Sequence, residues 1–298
     1  MQRQLVAIER TQGFLEALQF RPEWLSRLRN DVRINDALAS IQIEGGQLTL
    51  ETAFDLTRQR SSGMLRGLTS DEREFVNYLS AFDAIDALRG VKEYPLSSRD
   101  VRQLHNILLD GVRGGDHFKG EFRREDVVVG DREDGEIFVH HQPPVWSRVE
   151  DELSGLFEWM NACAVRPTYE ESDRGAPDFW VHPVVAAVIA QHRLVWIHPF
   201  RDGNGRTVRM FTTLALYQRG YDFKYLFDLS SYYNKDRDRY YAALREADAS
   251  GDYTKWIEYA MGGLANQMYG IRQQAREAAV TEAAVAEAAI AEAAETGA

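Results

Sequence analysis

This chain of 298 residues has almost no cysteine and no long apolar segment, and each shortage excludes a class of protein. Cys163 is the only cysteine, so no disulfide can form within the chain, and a reducing compartment is its natural setting. The longest apolar run, "VVAAVIA" at 184–190, is far shorter than the roughly 20 residues of a membrane-spanning helix. The first residues carry charge where a secretion signal is apolar. We therefore expect a soluble, cytoplasmic protein with no membrane partner.

Basic residues are outnumbered by acidic ones, 35 to 46, for a formal net charge of -11. Proteins that coat nucleic acids usually present a basic surface, so we expect no nucleic-acid partner. Several familiar catalytic patterns are also missing: a Walker A glycine-lysine motif, HExxH, a paired-cysteine metal site and a serine nucleophile elbow. The apolar share of 44% is ordinary for a globular protein with a sizeable core.

Helical periodicity extends over most of the chain and predicts a mainly α fold. In one predicted helix, Ser70 stands at the N-cap position. One segment differs: 122–144 has two β-branched or aromatic runs around an Asp134–Gly135 turn, which predicts a β-hairpin. The predicted helices cover 24–41, 70–90, 97–112 and 183–196.

Three regions follow from composition and breaks in the pattern. The first, 1–95, is a helical region that ends at a proline break, and 96–262 is the central domain. The last, 263–298, is rich in alanine and glutamate, and we interpret it as a solvated helical tail.

The stretch "IHPFRDGNGRTVRM" at 197–210 combines a histidine, an acid and a glycine turn with two arginines that follow the turn. It joins two predicted helices, so "DGNG" is a turn and the second helix begins beside it. Gly203 and Gly205 let the backbone approach a ligand closely. A helix start presents main-chain N–H groups without helical partners and a partial positive charge. The stretch therefore predicts an anion cradle.

The charged residues of this stretch indicate which anion would bind. Arg206 and Arg209 are three apart and share a face, although the dipole disfavours cations at a helix start. A polyphosphate would compensate them. Asp202 is a hard oxygen ligand suited to Mg²⁺, and His198 is a side chain that can accept a proton near neutral pH. Each residue alone more often has a structural role, as we predict for Phe200, and it is their combination that favours function.

The stretch "HPFRDGNGRTVR" (198–209) is similar at every specified position to the Fic family signature HxFx(D/E)GNGRxxR. "GEFRREDVVVG" (120–130) resembles the family's flap, and "RYYAALREADASGD" (239–252) resembles its adenine-enclosing segment. The resemblance covers about 90–260. It implies a Fic-type helical bundle with a β-hairpin flap, preceded by an N-terminal helical region.

The resemblance implies transfer of AMP from ATP to a hydroxyl of a target protein, with pyrophosphate released. His198 would be the catalytic base, and Asp202 would hold Mg²⁺, the implied cofactor. The phosphates would be bound by Gly203, Asn204, Gly205, Arg206 and Arg209.

The resemblance also implies where the nucleoside and the target protein bind. Tyr241 and Leu244 would line the nucleoside pocket, and Asp248 stands where some relatives carry asparagine. Val129 and Gly130 would form the nucleotide-facing edge of the flap. The flap strand would dock the target as an added strand through main-chain hydrogen bonds.

A second pattern lies upstream: "SIQIEGG" (40–46) is similar to the family's inhibitory motif (S/T)xxxE(G/N), with Ser40 and Glu44 at its defining positions. Glu44 falls at a predicted helix C-terminus, where a carboxylate gains from a cationic partner. Arg209 lacks its anion when ATP is absent. We therefore predict that Glu44 pairs with Arg209 and keeps basal activity low.

Other functions stay open from the sequence. The same fold could remove AMP, with Glu44 positioning a water, or transfer another nucleotidyl or phosphoryl group. A non-catalytic nucleotide-sensing protein is the alternative from a different class. The residues do not identify the target protein. The acceptor could be Ser, Thr or Tyr, on another protein or on the chain itself. A homodimer is also left open.

Overall fold

The computed structural model describes residues 1–88, 91, 94–112, 114–115, 117–133, 136–163 and 180–295, with the backbone alone at 131–133, 136–137 and 278–295. Within these residues the chain forms eleven α-helices and one two-stranded sheet, so the predicted mainly α fold is confirmed. The helices are α1 (Gln2–Ala17), α2 (Pro22–Ile43), α3 (Leu50–Ser61), α4 (Ser70–Ala87), α5 (Ser98–Leu108), α6 (Val149–Ala162), α7 (Pro183–Ile197), α8 (Asn204–Gln218), α9 (Leu229–Lys235), α10 (Arg237–Ser250) and α11 (Thr254–Glu295).

The N-cap of helix α4 lies one residue before the predicted cap, Ser70. The N-cap is Thr69, whose hydroxyl accepts a hydrogen bond from the Glu72 N–H at 3.3 Å. The Glu72 carboxylate accepts the Thr69 N–H at 2.8 Å, which completes a capping box. The prediction of Ser70 was wrong because the glutamate three positions on favours threonine. The predicted end of this helix at Gly90 lies outside the described residues.

The predicted hairpin consists of β1 (Val129–Glu133) and β2 (Glu136–His141), which pair in antiparallel register. Its predicted turn at 134–135 lies outside the described residues. The register is irregular between Val129 and Gly130, and there the two strands approach closely. A Cβ on Gly130 would lie 2.1 Å from the Phe138 carbonyl oxygen, so the hairpin itself requires glycine at this position.

Helices α7 and α8 pack against each other at the centre of the molecule. Most of their apolar side chains are buried, Leu194 and Phe211 completely. Helix α2 packs on α4, α8 and α9, so its C-terminal end reaches the start of α8. The indole of Trp256 on α11 is also fully buried and donates a hydrogen bond to the Val188 carbonyl at 2.8 Å. The segment between α7 and α8 is thus held by two well-packed helices.

Helix α11 runs without a break through the predicted boundary at 262/263. Leu264, Met268 and Ile271 are buried in the core, and α1 packs against this helix. The first half of α11 therefore belongs to the globular body, and only its later part matches the Ala/Glu-rich composition. Among the described residues, no helix is both long and apolar enough to cross a lipid bilayer.

Candidate active site

The segment between α7 and α8 leaves the first helix through a constrained residue. His198 is the C-cap of α7 and has left-handed backbone angles, φ 49° and ψ 60°. Such angles are uncommon for a residue other than glycine and must be held by the surroundings. Phe200 is fully buried and stacks on His105 with ring centroids 3.7 Å apart, which confirms its predicted role as an anchor.

Asn204 closes this segment with its side chain. Its Oδ1 accepts the Phe200 N–H at 2.9 Å, and its Nδ2 donates to the Phe200 carbonyl at 2.8 Å. Gly203 caps α8 with φ 71°, and a Cβ there would lie 2.6 Å from the Leu109 side chain. The amide of Asn204 therefore shapes the turn, and what it offers to an anion is its main-chain N–H.

The first turn of α8 faces a carboxylate from a distant part of the chain. Gly203 has no side chain to cap the helix, so this turn presents its N–H groups and the positive end of the dipole. A Cβ on Gly205 would lie 2.3 Å from Oε1 of Glu44. The Glu44 carboxylate thus lies against the helix start, where the sequence predicts an anion.

Glu44 also pairs with Arg209, as predicted. Glu44 is the C-cap of α2, and its Oε1 lies 2.7 Å from Nη2 of Arg209. Ser40 completes the contact: its hydroxyl accepts from Nε of Arg209 at 2.9 Å and its carbonyl from Nη2 at 3.0 Å. Burial lowers the pKa of Arg209, but the neighbouring Glu44 carboxylate outweighs it, so the net pKa is raised. The guanidinium is therefore firmly charged.

Arg206 is held by a different carboxylate. Its Nη1 lies 2.6 Å from Oε2 of Glu74 on α4, and its Nη2 lies 3.5 Å from Asp202. The Arg206 side chain is 6% exposed and that of Glu74 16%. Burial raises the pKa of Glu74, although Arg206 opposes this effect. Arg206 thus fastens α8 to α4 in this structure, and it is not among the residues that line the cavity beside α8.

A cavity of about 900 Å³ opens beside the first turn of α8, beneath the hairpin. It brings together most of the predicted site residues, from four separate stretches of sequence. Arg237 and Arg245 of α10 also line it and were missed by the sequence analysis. The predicted residues that line it are Glu44, Val129, Gly130, His198, Asn204, Gly205, Arg209, Tyr241 and Leu244.

The two tyrosines of α10 have different surroundings. Tyr240 is buried and stacks on Tyr233 with centroids 4.5 Å apart, whereas Tyr241 is 37% exposed beside the cavity. Asp248, one of the cavity residues, lies 3.4 Å from Nδ1 of His141 and 3.2 Å from Nε2 of His192. Its carboxylate is thus shared between two imidazoles.

Asp202 lies on the far side of the turn, where it lines a neighbouring hollow of about 540 Å³ with His105. Its side chain is 72% exposed, and Oδ1 accepts the Gly203 N–H at 2.6 Å. Within the described part of the chain, no group of three His, Cys, Asp or Glu side chains could hold a metal ion. An exposed carboxylate beside an anion cradle nevertheless fits Mg²⁺, which takes one or two protein carboxylates with phosphates and water.

His198 lines the cavity as a neutral imidazole. Burial, helped by the cationic Arg123, lowers its pKa to about 4. A neutral ring can accept a proton, which a general base requires.

His105 was not predicted from the sequence. It supports the turn through a hydrogen bond to the Asp202 carbonyl. Gly120 N–H donates to Nδ1 of His105 at 2.8 Å, so its proton is on Nε2 and is donated to the Asp202 carbonyl at 3.0 Å. Burial lowers the pKa of His105 to about 4. On an apolar helix face, nothing in the sequence distinguishes this histidine from a core residue.

Comparison with known proteins gives three findings. Residues 95–216 match the Fic/DOC family model. "Protein adenylyltransferase Fic" of Drosophila willistoni is 28% identical over 224 residues, 74% of this chain and 39% of the relative. The protein of the same name in Drosophila grimshawi is 29% identical over 224 residues, 74% of this chain and 40% of the relative. The chain thus spans about two fifths of the length of these curated relatives.

Two crystal structures share the fold. A Fic family protein from Desulfovibrio desulfuricans G20 has a TM-score of 0.68 at 24% identity, over 91% of this chain and 74% of that one. A Fic domain containing signaling protein from Bacteroides thetaiotaomicron has a TM-score of 0.68 at 20% identity, over 92% of this chain and 97% of that one.

Proposed function

We propose that this chain, whose residues 95–216 match the Fic/DOC family model, is a protein adenylyltransferase that transfers AMP from ATP to a protein hydroxyl. One observation carries this proposal. A single cavity unites a neutral imidazole, a helix start, a buried arginine and the edge of a hairpin. These are a base, an anion cradle, a phosphate partner and a docking edge. The name of the curated relatives supports the same activity.

The cavity suits a nucleoside triphosphate placed along α8. The phosphates would lie on the N–H groups of Gly205 and its neighbours, with the terminal phosphate on Arg209. The nucleoside would lie between Tyr241 and Leu244 of α10 and the hairpin edge at Val129 and Gly130. All of these residues line the cavity.

The chemical step would use His198 as the base. Its imidazole takes the proton of the target hydroxyl while that oxygen attacks the α-phosphorus. The bond from the α-phosphorus to the pyrophosphate oxygen breaks, and AMP stays on the target as a phosphodiester. Asp202 would hold Mg²⁺, which neutralises charge on the phosphates when it is bound.

The pairing of Glu44 with Arg209 supports autoinhibition of this activity. Glu44 occupies the guanidinium that the terminal phosphate needs, and it lies against Gly205 at the helix start. A triphosphate and Glu44 therefore compete for one position, and basal activity in the cytoplasm would be low. The target would be a Ser, Thr or Tyr hydroxyl of another protein or of the chain itself.

Label transfer tests the proposal with wild type, Glu44→Gly, His198→Ala and the double variant. Each is incubated with Mg²⁺ and ATP labelled at the α- or the γ-phosphate, alone and with a protein extract. We expect Glu44→Gly to incorporate on the order of tenfold more α-label than wild type, because each lost contact of this kind contributes about 1.4 kcal/mol or more. Both variants without His198 should incorporate almost none.

Three results would contradict the proposal in different ways. Incorporation of γ-label would show phosphoryl transfer. Release of AMP from a modified target by wild type but not by Glu44→Gly would show removal. ATP binding without label transfer by any variant would indicate a nucleotide sensor.

A further inference from the structure

Arg123 lies just before the hairpin, and its guanidinium is fully buried. Among the described residues, the side chain donates hydrogen bonds to main-chain carbonyls only: Nε to His198 at 2.8 Å, Nη1 to Glu125 at 3.0 Å, and Nη2 to Pro144 and, at 3.4 Å, to Ile197. The main-chain N–H of Arg123 donates to the Pro199 carbonyl at 2.9 Å. Four carbonyls thus converge on one buried side chain.

An ion pair does not explain this burial. In the described part of the chain the carboxylate paired with Arg123 is that of Asp126, which is 3.9 Å away and 62% exposed, so the nearer carbonyls compensate the buried charge. Burial lowers the pKa of Arg123, yet a guanidinium stays charged at any physiological pH. A buried charge is costly unless its donors are all used. The arrangement therefore indicates a cross-link between stretches of backbone.

The four carbonyls lie at two places: at the ends of the hairpin and at the C-terminal end of α7. Glu125 and Pro144 flank the hairpin, one before β1 and one after β2. Ile197 and His198 are the last residue and the cap of α7. A second tie runs parallel to the first, since the Nε2 of His141 lies 2.8 Å from the Trp196 carbonyl.

We propose that Arg123 is a positioning residue that holds both ends of the hairpin and the backbone of His198 as one unit. A hydroxyl docked on the hairpin would then meet the imidazole at a fixed place. The left-handed backbone of His198 needs such a restraint, because it is unfavourable on its own. The use made of this unit rests on the proposed function, whereas the cross-link itself does not.

Arg123 also affects the charge of the imidazole. Three charged or titratable groups face His198: Arg123 from the segment before the hairpin, His141 from β2 and Glu44 from α2. Arg123 and His141 disfavour the imidazolium, and Glu44 favours it. Removal of the Arg123 charge should therefore raise the pKa of His198 from about 4 toward the ordinary 6.5.

The test uses the full chain without nucleotide, as wild type, Arg123→Met, Arg123→Lys and the neighbouring control Arg124→Met. Arg124 is exposed, so its change removes a cation beside the same position without touching the cross-link. The pKa of His198 is read by NMR titration of labelled histidines, assigned with His198→Gln. Amide hydrogen exchange is followed across the two ends of the hairpin and across 195–200.

We expect Arg123→Met to raise the pKa of His198 and to speed exchange at both hairpin ends and around His198 on the order of tenfold, because hydrogen bonds to a charged donor are lost. Arg123→Lys should show the same faster exchange but keep the low pKa, since it keeps the charge without the planar fork. Arg124→Met should match wild type in both.

Wild-type exchange in Arg123→Lys would overturn the proposal, and this variant decides alone if Arg123→Met does not fold. In the Glu44→Gly background, Arg123→Lys should lower kcat for label transfer while KM for ATP changes little. The exchange and NMR measurements contain no nucleotide. If the chain transfers no AMP, the proposed function is refuted and the cross-link is not affected. If the exchange and NMR results contradict the cross-link, the proposed function is not affected.

Discussion

The two arginines of the first turns of α8 make similar contacts with different consequences. Arg209 pairs with Glu44 at the C-terminal end of α2, and that glutamate is 33% exposed in the cavity. Arg206 pairs with Glu74 inside α4, and both side chains are mostly buried. We name the first the cavity pair and the second the α4 pair. The cavity pair can separate if the last turn of α2 moves. The α4 pair cannot separate without disturbing the core.

The two arginines of one sequence motif therefore have different partners in this structure. Both side chains have the spacing that places them on one helix face. The position of the partner decides whether a ligand can replace it. A pair that is mostly buried acts as a structural contact, and its loss is costly. Matched variants of the two pairs distinguish their roles.

The largest expected effect comes from removing each arginine in the Glu44→Gly background. Arg209→Ala should weaken ATP binding about 100-fold, because two charge-assisted bonds to the terminal phosphate are worth about 3 kcal/mol. AMP binding should change little. Titration calorimetry with ATP and AMP measures both.

Arg206→Ala is the matched control. It should lower the free energy of unfolding by about 3 kcal/mol, because Glu74 is left buried without its partner. Its ATP affinity should fall much less than that of Arg209→Ala. An equal loss of ATP affinity in both variants would show that Arg206 also reaches the phosphates.

The contributions of His198 and Glu74 to the free energy of unfolding should respond to pH in opposite directions. His198, on the cavity side, has a folded pKa of about 4, below the ordinary 6.5, so wild type loses stability as the pH falls from 6.5 to 4. His198→Gln should remove that loss, which is up to about 3 kcal/mol. Glu74 has a folded pKa raised above 4.5, so its contribution is present at low pH and lost as the pH rises through the folded value.

Urea unfolding of wild type, His198→Gln and Glu74→Gln between pH 4 and 8 tests this. The stability of wild type minus that of His198→Gln should rise with pH. The stability of wild type minus that of Glu74→Gln should fall with pH. Parallel difference curves would contradict the assignment of opposite shifts.

A smaller effect is expected from neutralising each glutamate. Glu44→Gln should raise ATP affinity about tenfold, or about 1.4 kcal/mol, because the phosphate no longer competes with a carboxylate for Arg209. Glu74→Gln should not raise it. A gain in both variants, measured by calorimetry with the same nucleotide, would remove the distinction between the pairs.

The smallest effect concerns the glycine beneath the cavity pair. Gly205→Ala should destabilise wild type by about 1 kcal/mol, because the new Cβ would meet Glu44. With Glu44→Gly the same change should be neutral or stabilising by about 0.5–1 kcal/mol, as is usual for Gly→Ala in a helix. A thermal unfolding cycle over the four variants measures the coupling.

Gly203→Ala serves as the control for that cycle. Its cost comes from the left-handed backbone and from Leu109, so it should be the same with or without Glu44. If Gly205→Ala behaved in the same way, the close approach of Glu44 to α8 would be wrong.

The sequence predicted what is determined locally. The turn at 202–205, the start of α8 and the placement of His198 before it depend on neighbouring residues, as do the hairpin and most helices. The contact of Glu44 with Arg209 was predicted across the chain from the resemblance of 40–46 to the inhibitory motif, and the need of a carboxylate at a helix end for a cationic partner supported it.

What the sequence could not predict is set by packing between distant segments. Glu74 is one acidic residue among many on α4, and only the fold places it beside Arg206. Arg123 and His105 act on main-chain carbonyls, which leave no mark in the sequence. The boundary placed at 263 followed composition, whereas α11 continues because Leu264 and Met268 are buried against the core.

The attachment of Glu44 to the end of α2 has a consequence for how the protein responds to its own concentration. Under the proposed autoinhibition, a competitor carried on the same polypeptide keeps a constant effective concentration beside Arg209, whatever the amount of protein in the cell. Dilution or overproduction would therefore leave the restraint intact. A binding partner that unwinds only the last turn of α2 would abolish it, since the carboxylate reaches the guanidinium from that turn alone.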